Sequence, residues 1–502
     1  MLKIVSEKFL LRVLTALLVL VVSPAGIAQT KVIVGSDFLT TQNYYNKLIN
    51  SDPLPIAQLN LFANQLPKGG DLHHHYSGAL YAETYLDWVE KKGLCIVKAS
   101  FKINFNGREH EKNESCLTVA SVRADEIFYR KLLMHWSDKD FANHFHEALP
   151  PDIQFFSSFQ YFTTISKAFY KDGLQQLKIR AKNENLQYIE TMLARGPAIN
   201  EIDSNKELDG LSPAISSEAL DPYLDSAWQR FENDENFQNQ IKNFIAEIES
   251  DTADIDDADF TLRVQVYVMR NASPSSVFSS MYSGFKAATQ SKKVVGLNIV
   301  GPENSVVAMR DYSLHMKMFK YFKNKYPDVR LSLHAGELSL GMVPPEGLRY
   351  HIRSAVEIAG ARRIGHGLDI MYESDADALL KKISQEQIAV EINLTSNEFI
   401  AGVAGQSHPV TIYIQRNIPI VISTDDEGVS RSSISNEYLL FISRYKPSYS
   451  FLKNTVYNSI QFSFLSDDEK LKQKKILDQR FARFEKDTAQ TVKYFRRVNA
   501  AD

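Results

Sequence analysis

Residues 331–337, LSLHAGE, place a metal-ligand side chain and a proton donor at the end of one predicted strand. Apolar residues alternate along 329–333, which predicts a buried strand. Gly336 permits a sharp backbone turn just before Glu337. The side chains of His334 and Glu337 would then face one cavity, which suits a metal ion and an acid acting on one substrate. The alternative for this segment alone is a core histidine beside a surface glutamate.

A second candidate ligand pair lies in the run His73-His74-His75. Side chains alternate between the two faces of a strand, so His73 and His75 point the same way and His74 points the other way. A His-x-His pair at a strand end can bind one metal ion. Taken alone, three consecutive histidines are also compatible with a chance surface cluster.

Two further segments place polar side chains after predicted strands, namely IGHG at 364–367 and STDD at 423–426. His366 lies between glycines that allow close approach of substrate, and it can orient a hydroxide or act as a base. Asp426 is expected to point differently from Asp425 and to accept a hydrogen bond from substrate. The predicted metal ligands are His73, His75, His334 and Asp425. Three nitrogen ligands and one oxygen ligand suit Zn²⁺, with a position left for water.

The elements that must position these residues form an alternating series of strands and helices. Eight such units predict a parallel sheet closed into a (β/α)8 TIM barrel, an α/β fold. The predicted strands are the one that contains His73 and those at 188–194, 262–269, 294–300, 329–334, 363–368, 389–394 and 418–423. The candidate site residues cluster at the carboxyl ends of these strands, where such barrels have their active sites.

The fourth predicted strand, 294–300, bears on the number of metal ions. Two-metal hydrolases with related barrels usually bridge their ions with a carboxylated lysine at the end of this strand. Here the strand ends in Val300-Gly301 without a lysine. One zinc ion per chain is therefore predicted.

Other segments surround the predicted barrel domain, 66–502. Residues 29–65 are predicted to form short helices whose apolar side chains need a surface to cover, such as a partner subunit. A helical insertion is predicted at about 197–260, with one helix over 221–248. The tail from Ser466 is predicted to be a pair of charged amphipathic helices that opens with a capping box.

Composition and the first residues restrict partners and location. A formal net charge of -3 gives no global basic field, so neither nucleic acid nor an anionic membrane surface is implied as a partner. Residues 1–28 have basic residues before an apolar run at 13–22, then small residues, as in a signal peptide. The run is too short for a comfortable membrane span. We expect signal cleavage, no stable membrane anchor and a secreted or periplasmic protein; an uncleaved anchor is the alternative.

The chain has two cysteines, Cys95 and Cys116. An oxidising compartment favours a disulfide between them, and the residues between them alternate like a hairpin with an Asn106-Gly107 turn. This predicts a disulfide-closed insertion at about 93–118. Free buried thiols are the alternative, whereas two cysteines without neighbouring ligands do not complete a metal site.

Together these motifs resemble the adenosine deaminase family of the metal-dependent amidohydrolases. The segment PKGGDLHHH at 67–75 is similar to the family's Pro-Lys-x-x-x-Leu-His-x-His, and HAGE at 334–337 matches its His-Ala-Gly-Glu motif. RIGHG at 363–367 and STDD at 423–426 match the next two motifs, and SFL at 463–465 resembles a C-terminal stretch. The signal peptide, the segment before the barrel and the two-cysteine insertion resemble the secreted branch, the adenosine deaminase-related growth factors or adenosine deaminase 2.

The resemblance implies a reaction and a role for each site residue. Adenosine and 2′-deoxyadenosine would be deaminated to inosine and 2′-deoxyinosine with release of ammonia, by attack at C6. Zinc would bind the four predicted ligands and Glu337 would protonate purine N1. His366 would steer the attacking hydroxide, Asp426 would accept a hydrogen bond at N7, and the backbone N–H of Gly301 would meet N3. The secreted branch also implies a homodimer held partly by the N-terminal segment.

Three departures from the family pattern concern specificity. Tyr76-Ser77 replaces a common Leu-Asp whose aspartate contacts ribose, Asn298 stands where an aspartate is common, and Glu427 replaces a proline. None of these removes a predicted ligand or the acid. One alternative function is deamination of another aminopurine, such as adenine, a modified nucleoside or a nucleotide. A second is a non-catalytic, growth-factor-like protein that binds nucleosides.

Overall fold

Eight parallel strands form a nearly closed barrel. The computed structural model describes residues 35–105, 116–141, 149–199 and 206–498. Each barrel strand pairs with the next one along the chain. The first and last strands approach at one point, where Asp425 N donates to His73 O over 2.8 Å and His75 N donates to Asp425 O over 3.1 Å. The predicted (β/α)8 barrel is confirmed.

Within the described residues, the barrel strands alternate with helices and with one small additional sheet. The strands are β1 (Gly69–His75), β2 (Cys95–Val97), β3 (Ile103–Asn104), β4 (Cys116–Leu117), β5 (Leu186–Arg195), β6 (Thr261–Met269), β7 (Val294–Val300), β8 (Arg330–Ala335), β9 (Arg363–His366), β10 (Ala389–Ile392) and β11 (Ile420–Ile422). The barrel is built from β1 and β5 to β11, in that order.

The α-helices of the described residues are α1 (Ser36–Ile49), α2 (Ile56–Gln65), α3 (Tyr76–Ala79), α4 (Ala82–Lys91), α5 (Val119–Ala124), α6 (Glu126–Trp136), α7 (Pro151–Lys167), α8 (Tyr170–Asn183), α9 (Lys206–Asp209), α10 (Ser217–Asn233), α11 (Glu235–Thr252), α12 (Pro274–Gln290), α13 (Val306–Lys325), α14 (His351–Ser354), α15 (Ala376–Gln385), α16 (Leu394–Ala401), α17 (Val410–Gln415), α18 (Ile434–Tyr445), α19 (Tyr449–Gln461) and α20 (Asp467–Val498). Short 3-10 turns lie at Pro345–Leu348, Ile370–Tyr372 and Gly405–Ser407, and a π-helical turn lies at Ala355–Ala359.

The barrel strands are apolar because both faces of the sheet are covered. β5 is buried over its first nine residues, and β7, with the sequence VVGLNIV, is buried at six of its seven positions. Helices cover the outer face of a parallel barrel and side chains fill its centre. Each fully buried aliphatic side chain contributes about 1.5–3 kcal/mol through removal of apolar surface from water. This apolar frame fixes the strand ends that carry the polar residues.

Two helix predictions were wrong in detail. The single helix predicted over 221–248 is two helices, α10 and α11, because Asp234 ends the first and its carboxylate caps the second by accepting from Phe237 N over 3.0 Å. The tail is one continuous helix, α20, rather than a pair, since no glycine or proline interrupts its 32 residues. Its predicted capping box is present, with mutual hydrogen bonds between Ser466 and Glu469.

The N-terminal helices α1 and α2 pack on the C-terminal helices of their own chain. Tyr45 is fully buried and donates from its hydroxyl to Pro447 O over 2.9 Å. The ring of Phe62 lies 5.2 Å from the ring of Phe484 on α20. The apolar side chains predicted to need a partner's surface are therefore covered in large part within one chain, although Leu61 remains 57% exposed.

The insertion after β1 is a small antiparallel sheet closed by a disulfide between Cys95 and Cys116. The hairpin between β2 and β3 turns at residues 98–102, where Phe101 N donates to Val97 O. The predicted Asn106-Gly107 turn and the predicted signal peptide lie outside the described residues. None of the helices in the described ranges is both long and apolar enough to cross a membrane.

Candidate active site

The four predicted metal ligands converge at the carboxyl end of the barrel. His73 and His75 lie at the end of β1, His334 is the penultimate residue of β8, and Asp425 follows β11. Their nitrogen and oxygen donor atoms all lie within 4.8 Å of one another. Parallel strands bring their ends to one face, so residues separated by more than 350 positions in the sequence meet here.

The hydrogen bonds around the histidines suit a cation. The Nδ1 atom of His73 lies 2.8 Å from Glu391 Oε2, and Nδ1 of His334 lies 2.8 Å from Asn298 Oδ1. Both partners accept, so both protons lie on Nδ1 and the Nε2 lone pairs face the cluster. The Nε2 atoms of His75 and His334 are only 3.2 Å apart. Converging lone pairs beside a carboxylate fit a bound divalent metal.

Glu391 is a functional candidate that the sequence interpretation missed. It is fully buried on β10 and accepts from His73, from Ser332 Oγ over 2.8 Å and from Arg363 Nε over 2.5 Å. Burial opposes its charge, but Arg363 and then His73 outweigh this effect and lower the pKa of Glu391 to about 2. A glutamate within the otherwise apolar strand AVEI was the available signal.

A second missed residue, Glu303, holds the turn that presents Glu337. Its carboxylate oxygens accept from the backbone N–H groups of Gly336 and Glu337, each over 3.0 Å. The same carboxylate lies 2.5 Å from His351 Nδ1 and 3.3 Å from Arg270 Nη1. Glu303 lies just after β7, the strand next to β8. In the sequence, only its place after a predicted strand indicated that it could lie near the site.

Glu337 is buried beside the cluster in a form suited to proton donation. Burial, and next the charge of Asp425, raise the pKa of Glu337 well above its ordinary value. Its Oε1 atom lies 3.7 Å from Nε2 of His366. Burial therefore favours the protonated carboxyl group, which is the form that a general acid requires.

His366 directs its imidazole into the same space. Its backbone has a φ of 67°, a conformation that non-glycine residues adopt rarely and mostly where tertiary structure imposes it. Its Nε2 atom lies 4.0 Å from Asp425 Oδ2. Burial lowers the pKa of His366 to about 3, so the imidazole is neutral at pH 7.

Asp426 differs from its neighbour Asp425 in the direction of its pKa shift. Burial, and next the charge of Asp425, raise the pKa of Asp426 well above its ordinary value. This shift favours the protonated carboxyl of Asp426, and its hydrogen-bonding role toward substrate stays a prediction. Gly78 packs so closely that a Cβ atom there would overlap Oδ1 of Asp426.

Gly301 follows β7 with a φ of 102°, and a Cβ atom there would overlap Asn271 Oδ1. This position therefore requires glycine, and its backbone lines the cavity.

The cluster lies at one side of a cavity of about 450 Å³. Away from the ligands, the wall is largely aromatic and apolar, with three phenylalanines from α7 and two methionines from β5 and β6; these residues are Phe155, Phe156, Phe159, Met192 and Met269. Sequence periodicity did not separate these phenylalanines from core residues. Ser77 lines the cavity, whereas Tyr76 is fully buried and donates to Phe169 O over 2.8 Å.

The chain is similar to known adenosine deaminases. A family model described as adenosine deaminase matches residues 233–480. An adenosine deaminase of Mycolicibacterium vanbaalenii is 27% identical over 220 residues, which span 42% of this chain and 56% of that relative. An adenosine deaminase of Aedes albopictus is 25% identical over 440 residues, which span 81% of this chain and 71% of that protein.

Solved structures share the fold. The Arabidopsis N6-mAMP deaminase superposes with a TM-score of 0.51 and 20% identity, over 84% of this chain and 99% of that one. An amidohydrolase from Burkholderia ambifaria, solved with bound Zn, gives a TM-score of 0.51 and 16% identity, over 86% and 94% of the two chains. The family-model match and the adenosine deaminase relatives, together with the motifs in order, show that the chain belongs to the adenosine deaminase family.

Proposed function

We propose that this protein is a zinc-dependent deaminase that hydrolyses adenosine and 2′-deoxyadenosine to inosine and 2′-deoxyinosine, releasing ammonia. One observation carries the proposal. Four metal-ligand side chains have donor atoms within 4.8 Å of one another, beside a cavity and beside the buried Glu337, whose pKa is raised. A metal and an acid that face one cavity are what hydrolysis of an aminopurine needs.

The metal would be held by His73, His75, His334 and Asp425. When bound, a divalent metal lowers the pKa of water and so supplies a nucleophile near neutral pH. Family membership and the donor set imply a divalent ion, and the nitrogen-rich set favours zinc. Glu391 and Asn298 would fix the tautomers and ring orientations of two of these histidines.

The purine would be held by hydrogen bonds around the cavity. Adenine N7 and N3 carry lone pairs and no hydrogen, so each needs a donor. The protonated carboxyl of Asp426 would donate to N7, and the backbone N–H of Gly301 would donate to N3. Glu337 would donate to N1, which increases the electrophilic character of C6, and His366 would hold the attacking water in place.

The proposed roles give a balanced reaction. The water oxygen bonds to C6, and N1 takes the proton of Glu337. One of the two water protons restores Glu337, and the other leaves with the amino group as the C6–N bond breaks. The products are the 6-oxopurine and ammonia.

A direct test is to incubate purified, zinc-loaded protein with adenosine and follow the ultraviolet change that accompanies formation of inosine. We expect conversion with release of ammonia, loss of activity after chelation and recovery when zinc is restored. Protein that contains one zinc per chain and leaves adenosine unchanged would contradict the proposed substrate.

A second candidate is deamination of another aminopurine, and Ser77 favours considering it. This residue lines the cavity where many family members have the ribose-contacting aspartate, so the sugar contacts differ here. Adenine, N6-modified adenosines and AMP therefore belong in the same assay. Binding of adenosine without release of ammonia would instead support the non-catalytic alternative.

The location and assembly are also part of the proposal. The disulfide between Cys95 and Cys116 is compatible with secretion or a periplasmic location, where disulfides persist. N-terminal sequencing of the mature protein tests cleavage near residue 28. Light scattering tests the homodimer that resemblance to the secreted branch implies.

A further inference from the structure

A series of hydrogen bonds connects a backbone amide to Nδ1 of His366, the ring nitrogen that faces away from Glu337 and Asp425. Val410 N donates to Nδ1 of His408 over 3.1 Å. A backbone N–H is always a donor, so Nδ1 of His408 is the acceptor and its neutral ring carries the proton on Nε2. Burial lowers the pKa of His408 to about 3, which keeps this ring neutral.

The side-chain amide of Asn397 links His408 to His366 and fixes which of its atoms faces each ring. Nε2 of His408 lies 3.1 Å from Asn397 Oδ1, which must accept. The amide nitrogen of Asn397 therefore faces the other way, where it lies 2.8 Å from Nδ1 of His366. A second amide nitrogen, from Asn393, lies 3.3 Å from the same Nδ1 atom. An atom that faces two N–H donors is an acceptor.

We infer that Asn397 and His408 are positioning residues that hold His366 as its Nε2–H tautomer, so that His366 faces the substrate as a hydrogen-bond donor and not as a base. The orientation of the His366 ring agrees with this tautomer. Its Nε2 atom is buried, has no hydrogen-bond partner among the described residues and is the ring nitrogen that lies near Glu337 and Asp425. The three side chains in this series of hydrogen bonds are at most 1% exposed, namely His366, Asn397 and His408.

A neutral imidazole at this position could act either as a proton acceptor or as a hydrogen-bond donor, depending on its tautomer. A neutral imidazole with Nε2–H has no lone pair toward the cavity, so it can hold the oxygen of the attacking water but cannot take its proton. The consequence for catalysis rests on the proposed function, in which Glu337 is reprotonated by that water. The tautomer itself does not rest on the proposed function.

The first measurement is a ¹⁵N spectrum of zinc-loaded protein labelled at histidine, with the His366 signals assigned by their loss in His366→Gln. The ¹⁵N shift separates a protonated from a bare ring nitrogen. We expect a bare Nδ1 and a protonated Nε2. A protonated Nδ1 with a bare Nε2 would overturn the inference, whether or not adenosine is a substrate.

Asn397→Asp tests the polarity at constant side-chain size, because a carboxylate offers only acceptors. We expect a proton to appear on Nδ1 of His366 in this variant. Asn60→Asp, on the exposed face of α2, adds the same charge far from the ring and should leave the His366 spectrum unchanged. An unaltered, bare Nδ1 in Asn397→Asp would contradict the role of Asn397.

His408 can be tested by a pair of variants that separates positioning from packing. His408→Gln retains an N–H that can reach Asn397 Oδ1, whereas His408→Leu does not. For the substrate that the enzyme turns over, we expect His408→Leu to lose about 10–100-fold in kcat with a KM changed less than about threefold, and His408→Gln to recover most of the loss. Equal kcat values in wild type and His408→Leu would overturn the positioning role, and the labelled spectra decide the case if no substrate is found.

Discussion

At the scale of single residues, adjacent or nearby carboxyl groups differ in protonation because their surroundings differ. Burial would raise the pKa of Asp425, but its contacts with His73 and His75 hold that pKa well below its ordinary value, whereas burial raises the pKa values of Asp426 and Glu337. These surroundings favour the ionised form of Asp425 and the protonated forms of Asp426 and Glu337. Opposite pKa shifts in neighbouring carboxyl groups are a feature of sites that carry out acid–base chemistry.

Replacement of Glu337 with Gln removes the transferable proton at nearly constant size. We expect kcat to fall by about 10²–10⁴-fold while zinc content stays at one per chain. Glu346→Gln, the same change at an exposed position nine residues later, should retain full activity. Metal analysis and the ultraviolet assay on both variants decide the role, and an active Glu337→Gln variant would contradict it.

Asp426 is predicted to act as a donor, and an amide can replace it in that function. Asp426→Asn keeps an N–H near the purine, so we expect kcat/KM within about tenfold of wild type. Asp426→Ala leaves the ligand atom unpaired and should lose about 10–100-fold, the equivalent of roughly 1–3 kcal/mol. Comparable losses in the two variants would argue against donation by Asp426.

At the scale of elements, the turn after β8 depends on a carboxylate from the turn after β7. Glu303 accepts from two backbone N–H groups of the HAGE turn and is paired with buried Arg270 and His351. Burial alone would raise its pKa, but Arg270 and then His351 outweigh it and hold the pKa of Glu303 well below its usual range. The HAGE turn is thus connected by hydrogen bonds to the turn that follows the neighbouring strand.

Glu303→Gln should destabilise the protein in a pH-dependent manner. Leaving Arg270 buried without its counter-ion costs about 3–5 kcal/mol at pH 7. The folded-state pKa is depressed, so this stabilisation is present above the unfolded value of about 4.3 and is lost as pH falls. Urea unfolding at several pH values should show the gap between wild type and variant narrowing from pH 5 toward pH 3, and a constant gap would contradict the assignment.

The disulfide closes the small sheet of the insertion. Cys95 and Cys116 are 21 positions apart, and cross-linking a loop of this length lowers the entropy of the unfolded chain. We expect reductant to lower the unfolding free energy of the insertion by about 3 kcal/mol. Denaturant unfolding measures the change, and the double variant Cys95→Ser/Cys116→Ser serves as the control that reductant should not affect.

At the scale of the whole molecule, the candidate metal site joins strands that are distant in the sequence. Its ligands come from β1, β8 and the turn after β11, the point at which the barrel closes. The N-terminal helices α1 and α2 pack against the C-terminal helix α20 on the outside of the barrel. A metal bound at the closure point would therefore stabilise the complete barrel.

Zinc should raise the melting temperature of the zinc-free protein. A ligand present at a thousand times its Kd stabilises the folded state by about 4 kcal/mol when it binds only that state. His334→Ala removes one ligand and should lose most of the zinc-dependent shift measured by calorimetry. An equal shift in this variant would indicate that zinc binds elsewhere.

The sequence by itself determined the barrel, the eight strands and the identity of the residues at their carboxyl ends, because strand periodicity and short motifs are local properties of the chain. It also indicated the cysteine pair. It did not reveal Glu303 or Glu391, since each acts through contacts with residues far away in sequence. The aromatic wall from α7 was missed for the same reason.

The directions of the pKa shifts and of the hydrogen bonds depend on tertiary structure. Burial and the charge of Asp425 raise the pKa of Asp426, and the tautomer that we infer for His366 depends on a hydrogen-bond chain that begins at Val410 N. The break between α10 and α11 likewise depended on how Asp234 caps a helix. Burial and hydrogen-bond direction are set by the complete fold, and no window of sequence contains them.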